Sequence, residues 1–143
     1  MAKKVKVLVA GTFDFLHPGH LHLLSQAKGH GSSLVVVVAR DSTVESFKRF
    51  RPYFDERERL ELVGSLSIVD KAVLGNPGDV LEIVASQKPD LIVLGYDQWP
   101  MEKWLKEKLA TRGMKKTRIV RAKPYRAKKY KSSMIKEYFL SNF

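Results

Sequence analysis

Between Val5 and Ala39 the chain runs through two short apolar segments with a helical one between them, and a loop containing two glycines and two histidines joins the first segment to the helix. The first segment, Val5, Val7, Leu8, Val9 and Ala10, is dominated by β-branched residues and predicts a buried strand. The second, Leu34-Val35-Val36-Val37-Val38-Ala39, is apolar throughout and too short for a helix of its own. Unbroken apolarity implies that both faces are covered, the condition of a strand inside a parallel sheet. Leu21–Lys28 has apolar residues at helical spacing and a stop at Gly29. Strand, helix, strand in that order predicts a right-handed βαβ unit. The intervening loop, Gly11-Thr12-Phe13-Asp14-Phe15-Leu16-His17-Pro18-Gly19-His20, then sits at the carboxyl end of the first strand. The helix N-terminus beside it offers unpaired N–H groups and the positive end of a dipole, which suits phosphate. His17 and His20 flank that turn and can point into one crevice. As metal ligands they would need a third or fourth partner, and zinc sites usually draw on cysteine, which this chain lacks.

The remaining chain continues the alternation. Residues 43–54 read as a short helical piece followed by the basic loop Lys48-Arg49-Phe50-Arg51-Pro52. Asp55 with Glu58 three residues later is an N-cap pair, opening a helix over about 57–66 with Leu60, Val63 and Leu66 inward. Arg59 stands one position before that stripe. A third strand is expected over 68–74, a turn over 75–78, and a helix over 80–86 capped by Asp79. Leu91–Leu94 is a fourth strand ending in Gly95-Tyr96-Asp97-Gln98. A helix from Met101 to about Arg112, with Trp104, Leu105 and Leu109 inward, stops at Gly113. Thr117–Arg121 is a fifth strand, and Ser132-Ser133 cap a last helix reaching Phe139 or Leu140. The expected fold is α/β: a single doubly wound, Rossmann-like domain over residues 1–143 with a five-stranded parallel sheet. Ligands of such sheets bind at the carboxyl edge where strand order reverses. The loops at 11–20, 40–52, 95–99 and 122–133 all open on that edge.

Charge narrows the partners. The 143 residues carry a net charge of +11, and residues 115–131 hold a run of lysines and arginines with no acid among them. That balance fits a polyanion, either nucleic acid or small molecules rich in phosphate. The basic start Met1-Ala2-Lys3-Lys4 precedes an apolar stretch too short for a signal peptide, and no segment approaches membrane-spanning length. A cytoplasmic protein with no membrane partner is expected.

Thr12-Phe13-Asp14 followed by His17-Pro18-Gly19-His20, directly after a strand, resembles the phosphate-binding signature of the HxGH nucleotidyltransferases, the cytidylyltransferase-like enzymes. The resemblance covers essentially the whole chain. Arg59 matches the arginine that follows the second crossover in that superfamily, Gly95-x-Asp97-Gln98 its nucleotide-base loop, and Ser132-Ser133 its final phosphate-binding helix start. Within it, residues 37–44 and 94–98 are most similar to the archaeal FAD synthases, which adenylylate FMN with ATP and release pyrophosphate. The glycerol-3-phosphate cytidylyltransferases are the competing family. They usually carry Arg-Thr-x-Gly-(Ile/Val)-Ser-Thr, whereas this chain has Arg126-Ala127-Lys128-Lys129-Tyr130-Lys131-Ser132-Ser133. That departure favours the flavin reading and leaves the role of Arg126 open.

The resemblance implies an enzyme whose substrates are ATP and FMN or another phosphomonoester, with Mg²⁺ or another divalent cation bound with ATP and no metal held by the protein alone. His17, His20 and Arg59 are implied as catalytic. Thr12, Phe13, His17, Pro18, Gly19, His20, Gly95, Asp97, Tyr125, Arg126, Ser132 and Ser133 are implied around the nucleotide, and Asp14, Lys48, Arg51 and Arg126 around the acceptor. Several of these have a plainer reading. Asp14 either orients a histidine or helps hold Mg²⁺, or it is a turn carboxylate bonding backbone N–H groups. Lys48 and Arg51 are ligands or solvated charges, and Asp97 a site residue or a turn. Tyr125, Tyr130 and Trp99 stack on a nucleotide or flavin ring or simply pack. A non-catalytic, basic RNA-binding module is the weaker alternative, because such a module has no need of His17 and His20. A homodimer is left open.

Overall fold

The computed structural model describes residues 4–48, 50–126, 129 and 132–142. The expectations that fall on Tyr130, Lys128, Lys131 and the Ser132 side chain lie outside the described residues. The chain runs β1 (Lys6–Gly11), α1 (Pro18–Gly29), β2 (Ser33–Val38), α2 (Asp41–Lys48), α3 (Glu56–Gly64), β3 (Lys71–Leu74), α4 (Val80–Gln87), β4 (Leu91–Leu94), α5 (Glu102–Ala110), β5 (Arg118–Arg121) and α6 (Ser132–Asn142). The five strands pair in parallel in the order β3-β2-β1-β4-β5. The chain winds outward from β1 through β2 to β3, then crosses back to β4, so strand order reverses between β1 and β4. This α/β, doubly wound sheet is the architecture expected.

Period-two alternation along each strand sorts the core into two layers. Val7, Val9, Val36, Leu91 and Val93 pack on one face with Leu24 and Ala27 of α1 and Val63 of α3. Leu8, Val37, Ile92 and Leu94 pack on the other with Leu81 and Val84 of α4 and Leu105 and Leu109 of α5. Both faces are covered, which is why β2 and β4 read as continuous apolar runs. Leu24 has no exposed surface, and truncating it to alanine would cost about 2–5 kcal/mol.

Helix starts follow local chemistry where a side chain can reach its own backbone. Asp55 accepts from Glu58 N and the Glu58 carboxylate accepts from Asp55 N, a complete capping box for α3. Asp79 accepts from Leu81 N at the start of α4. Gly113, at φ +77°, leaves α5 through a left-handed turn that a side chain would strain.

Three of the differences from expectation have a reason in the contacts. The second helix begins at Asp41 rather than about 43, because its first turn is locked to α3: Asp41 N donates to Glu56 Oε1 and Glu56 N donates to Asp41 Oδ2. β3 begins at Lys71 rather than 68, since Val69 N turns back to Leu66 O. In α3 Leu60 is only half-buried against the core; the large side chain wholly enclosed there is Arg59.

Candidate active site

At the carboxyl ends of β1 and β4, where strand order reverses, lies a cavity of about 640 Å³. All four loops expected on this edge contribute to it, together with α6. Its walls include Thr12, Phe13, Asp14, His17, Gly19 and His20 from the β1–α1 turn, and Lys48 and Phe50 from the end of α2 and its loop. Gly95, Tyr96 and Asp97 follow β4, Lys123 and Tyr125 follow β5, and Ser133 and Lys136 belong to α6.

The turn is built around two imidazoles. His17 is the N-cap of α1 and its Nδ1 accepts from Gly19 N at 3.1 Å. His20 returns the bond, its Nδ1 accepting from His17 N at 3.3 Å. The rings stack with centroids 3.8 Å apart, and Phe13 meets His20 edge-on at 5.3 Å. Because each Nδ1 is an acceptor, the proton of each neutral ring sits on Nε2. Burial lowers the pKa of His17. Burial, followed by the charges of His17 and Lys48, pushes that of His20 down to about 3. Both rings are therefore neutral donors in the folded protein.

This arrangement revises the expected use of the helix N-terminus. Pro18 has no N–H, Gly19 N is taken by His17 Nδ1, and His20 N donates to His17 O at 3.0 Å. The imidazoles accept from the turn on one side and carry N–H donors on the other, standing where bare backbone N–H groups were expected. Pro18 itself is exposed and lines no part of the cavity.

Three braces hold the turn and the loop after β4. The Phe13 backbone lies at φ +54°, a region costly for a bulky side chain. Its ring needs the space over Gly11, where a Cβ would stand 2.9 Å from Phe13 Cε2. Arg59, expected among the phosphates, has 0% exposure and instead clamps the turn from behind. Its Nε donates to Phe54 O, Nη1 to Thr12 O at 2.8 Å and Nη2 to Asp41 Oδ1 at 2.7 Å. The guanidinium, bonded in three directions and absent from the cavity lining, fixes the backbone of the turn that lines it.

Gln98 supplies the second brace, donating from Nε2 to Ala10 O at 2.7 Å and accepting Gly95 N on Oε1. Arg121 supplies the third, donating to the carbonyls of Gly95, Gln98 and Pro100 and pairing with Glu102. One member of the basic 115–131 run thus serves the loop rather than a partner. Neither the clamp role of Arg59 nor that of Arg121 could be read locally, since most of their acceptors are carbonyls and carboxylates far along the chain.

Asp14 is 4% exposed and follows the plainer of its two readings. Oδ1 accepts from Phe54 N and Oδ2 from Tyr53 N, both at 3.1 Å, and Lys136 Nζ lies 2.8 Å from Oδ2. Burial opposes ionisation of the carboxyl, but the Lys136 hydrogen bond, the two backbone N–H groups and the Lys136 charge outweigh it and hold the pKa below its usual value. It bonds neither histidine, and with both oxygens engaged it is not a site for an acceptor phosphate. Lys136, which the sequence singled out for no role, crosses 122 residues to reach it and lies over the rings of Phe15 and Phe50.

Lys48 lines the cavity, its pKa lowered by burial and by the charge of Lys136. Arg51 does not line it; its side chain is 76% exposed beside Glu45 at 3.8 Å. Tyr125 lines the cavity but is stacked on His22, centroids 4.3 Å apart and nearly parallel. Arg126 lies over Tyr125 at 5.6 Å and is exposed outside the cavity lining. Among the described residues no group of three or more histidines and acids could hold a metal ion, and no helix is long and apolar enough to cross a membrane.

The model of the family described as cytidylyltransferase-like matches residues 8–138. A protein of Thermoplasma volcanium named FAD synthase is 43% identical over 93% of this chain and 92% of its own. One of Aciduliprofundum boonei with the same name is 49% identical over 85% of this chain and 80% of its own. A crystal structure titled as a lipopolysaccharide core biosynthesis protein from Thermoplasma volcanium superposes with a TM-score of 0.82 at 45% identity, covering 86% of this chain and 99% of that one.

Proposed function

Because the chain belongs to the cytidylyltransferase-like family, we infer that it is a nucleotidyltransferase that moves AMP from ATP to the phosphate of FMN, giving FAD and pyrophosphate. The FAD synthase name of relatives at 43–49% identity over most of the chain supports this acceptor and this donor. The observation that carries the chemistry is the stacked pair of histidines at the point where strand order reverses, each with Nδ1 taken by a backbone N–H of the turn.

An oxygen of the FMN phosphate attacks the α-phosphorus of ATP, the bond from that phosphorus to the bridging oxygen breaks, and pyrophosphate leaves. The attacking monoester is largely ionised near neutral pH because its second pKa is about 6, so no protein base has to take a proton. The enzyme has to align the two phosphates and stabilise charge on the reacting and leaving oxygens. His17 and His20 donate from Nε2 to those oxygens. The positive end of α1 and the charges of Lys48 and Lys136 add to the field, and the start of α6 at Ser133 faces the phosphates from the other side. Gly95 and Asp97 form the nucleotide side of the cavity. The divalent cation enters as part of the substrate, with ATP, and is held through the phosphates.

The test is the reaction itself. Purified protein with FMN, ATP and Mg²⁺ is expected to give FAD and pyrophosphate, separated from FMN by chromatography, with CTP a poor substitute for ATP. CMP transfer to glycerol 3-phosphate with no FAD formed would move the acceptor assignment while sparing the reaction class.

A further inference from the structure

Two large aromatic side chains stand in solvent, apart from the cores and from the histidine chemistry. Phe47 of α2 is 61% exposed, and Trp99, just beyond Gln98, is 58% exposed. Their ring centroids lie 5.7 Å apart at a tilt of 32°, and Trp99 leans in turn on Trp104 of α5 at 4.8 Å. A contiguous patch of this kind marks a surface that something covers. Its place in the fold says what. Phe47 directly precedes Lys48, Trp99 follows Asp97 by two residues, and both Lys48 and Asp97 line the cavity. The two rings therefore join α2 to the loop after β4, the two segments that carry Lys48 and Asp97 to the cavity.

Size and chemistry point the same way. A cavity of about 640 Å³ is in the range that one drug-sized ligand fills, yet the proposed reaction brings together two substrates. The second substrate then calls for surface at the rim of the cavity. Tyr125, expected as a ring partner, has its ring stacked on His22, and Phe50 in the cavity wall has Lys136 Nζ over its ring at 5.0 Å; Phe47 and Trp99 are the exposed aromatic pair next along the chain to Lys48 and Asp97.

We propose that Phe47 and Trp99 form the platform on which the planar ring system of the flavin acceptor stacks, with its phosphate-bearing arm running inward past Lys48 to the histidine pair. The proposal rests on FMN being the acceptor, and it makes the two rings the residues that select a phosphomonoester carrying a large planar ring over an aliphatic one. Stacking on an aromatic side chain is tolerant of substituents but demanding of a π-face, which gives the proposal its signature.

Wild type, Trp99→Ala, Phe47→Ala and Trp99→Phe are compared by steady-state kinetics with FMN and ATP varied separately, by flavin fluorescence on binding FMN alone, by thermal melting and by light scattering. Expected is a rise of about tenfold in KM for FMN in each alanine variant, with KM for ATP within twofold. Trp99→Phe is expected to stay within about threefold of wild type, because a π-face remains. Wild type is expected to quench flavin fluorescence, and Trp99→Ala to lose most of that quench. Should Trp99→Ala melt far below wild type, Phe47→Ala, which touches none of the Arg121 bonds to the loop, carries the test. An unchanged KM for FMN, an equal rise in both KM values, or an effect confined to the oligomeric state overturns the platform alone. Wild type that makes no FAD from FMN and ATP overturns the functional reading beneath it.

Discussion

The turn that carries His17 and His20 and the helix that carries Ser133 and Lys136 meet across one cavity, yet they are held in place by different means. Every described fixture of the turn is short and local or buried: Nδ1 to backbone N–H twice, ring on ring at 3.8 Å, and the Arg59 clamp behind Thr12. Among the described residues of α6 none is buried, and its polar tie to the turn is the ion pair of Lys136 with Asp14. Donors that must follow charge as it shifts between oxygens need fixed direction, since a displacement of about 1 Å costs on the order of 10²-fold in rate. A charge that only counters the total negative charge of two substrates does not, because its field falls off slowly with distance. The first wall is built for direction and the second for charge, and substitutions on the two sides should fail in different ways.

Arg59 offers the most severe way to break the first wall. Arg59→Met removes one member of a buried pair and takes the Arg59 donor from Asp41 Oδ1 and from the Thr12 and Phe54 carbonyls, leaving Asp41 only the Glu56 N–H on Oδ2. A loss of about 3–5 kcal/mol is expected in urea unfolding. Arg59→Lys should recover little of it, because an ammonium cannot reproduce the three-way fork. Full stability in either variant would remove the clamp from the account.

His17 permits a sharper cut, because its two nitrogens have separate duties. Asparagine is a good N-cap, so His17→Asn is expected to keep stability within about 0.5 kcal/mol. The same variant loses the Nε2–H donor and should turn over roughly 10²-fold more slowly. Stability and rate falling together would mean that the ring matters as a cap alone. Across the cavity, Lys136→Met is expected to raise KM for ATP about tenfold, the scale of one charge-assisted hydrogen bond, with Lys136→Arg retaining most of the affinity. A fall in kcat as deep as that of His17→Asn would erase the distinction between the walls.

What the sequence made legible follows the same division between local and distant. β2 and β4, the Asp55 and Asp79 caps and the converging loops all rest on residues a few positions apart, and they stand in the structure nearly where periodicity and capping rules put them. Arg59 stands out beside the apolar stripe of α3, but its partners at Thr12 and Asp41 lie 47 and 18 residues away, beyond any local rule. Lys136 passed unremarked because nothing near it in the chain reports Asp14, 122 residues distant. Tyr125 looks available to a ligand in the sequence because His22, which stacks on it, belongs to α1, far back in the chain. Strand order, which decides where the crevice lies, follows from no single residue of the sequence. The site was therefore legible as a list of loops, while the assignment of donors, clamps and platforms required the sheet to bring those loops together.

The smallest expected effect concerns protons on the directional wall. In the unfolded chain His20 titrates near its ordinary value of 6.5, whereas burial and the charges of His17 and Lys48 push it down to about 3 in the folded protein. Between those values the unfolded state binds a proton that the folded state does not, so stability must fall as pH is lowered through 6.5 and keep falling toward 3. His17, lowered by burial, acts in the same direction. Asp14 adds nothing in the upper part of that window: its lowered pKa contributes stability that is present above the ordinary value of 3.8 and lost only below it. Moving from pH 7.5 to pH 6 should therefore lower Tm by about 2–4 °C, with the histidines as the source. Glutamine at position 20 cannot take up the proton, so His20→Gln should flatten that slope even if its Tm at pH 7.5 is lower. A wild-type Tm that rises on acidification over this range would mean that the stacked pair is stabilised by carrying charge, and the two walls would then share the same electrostatic role.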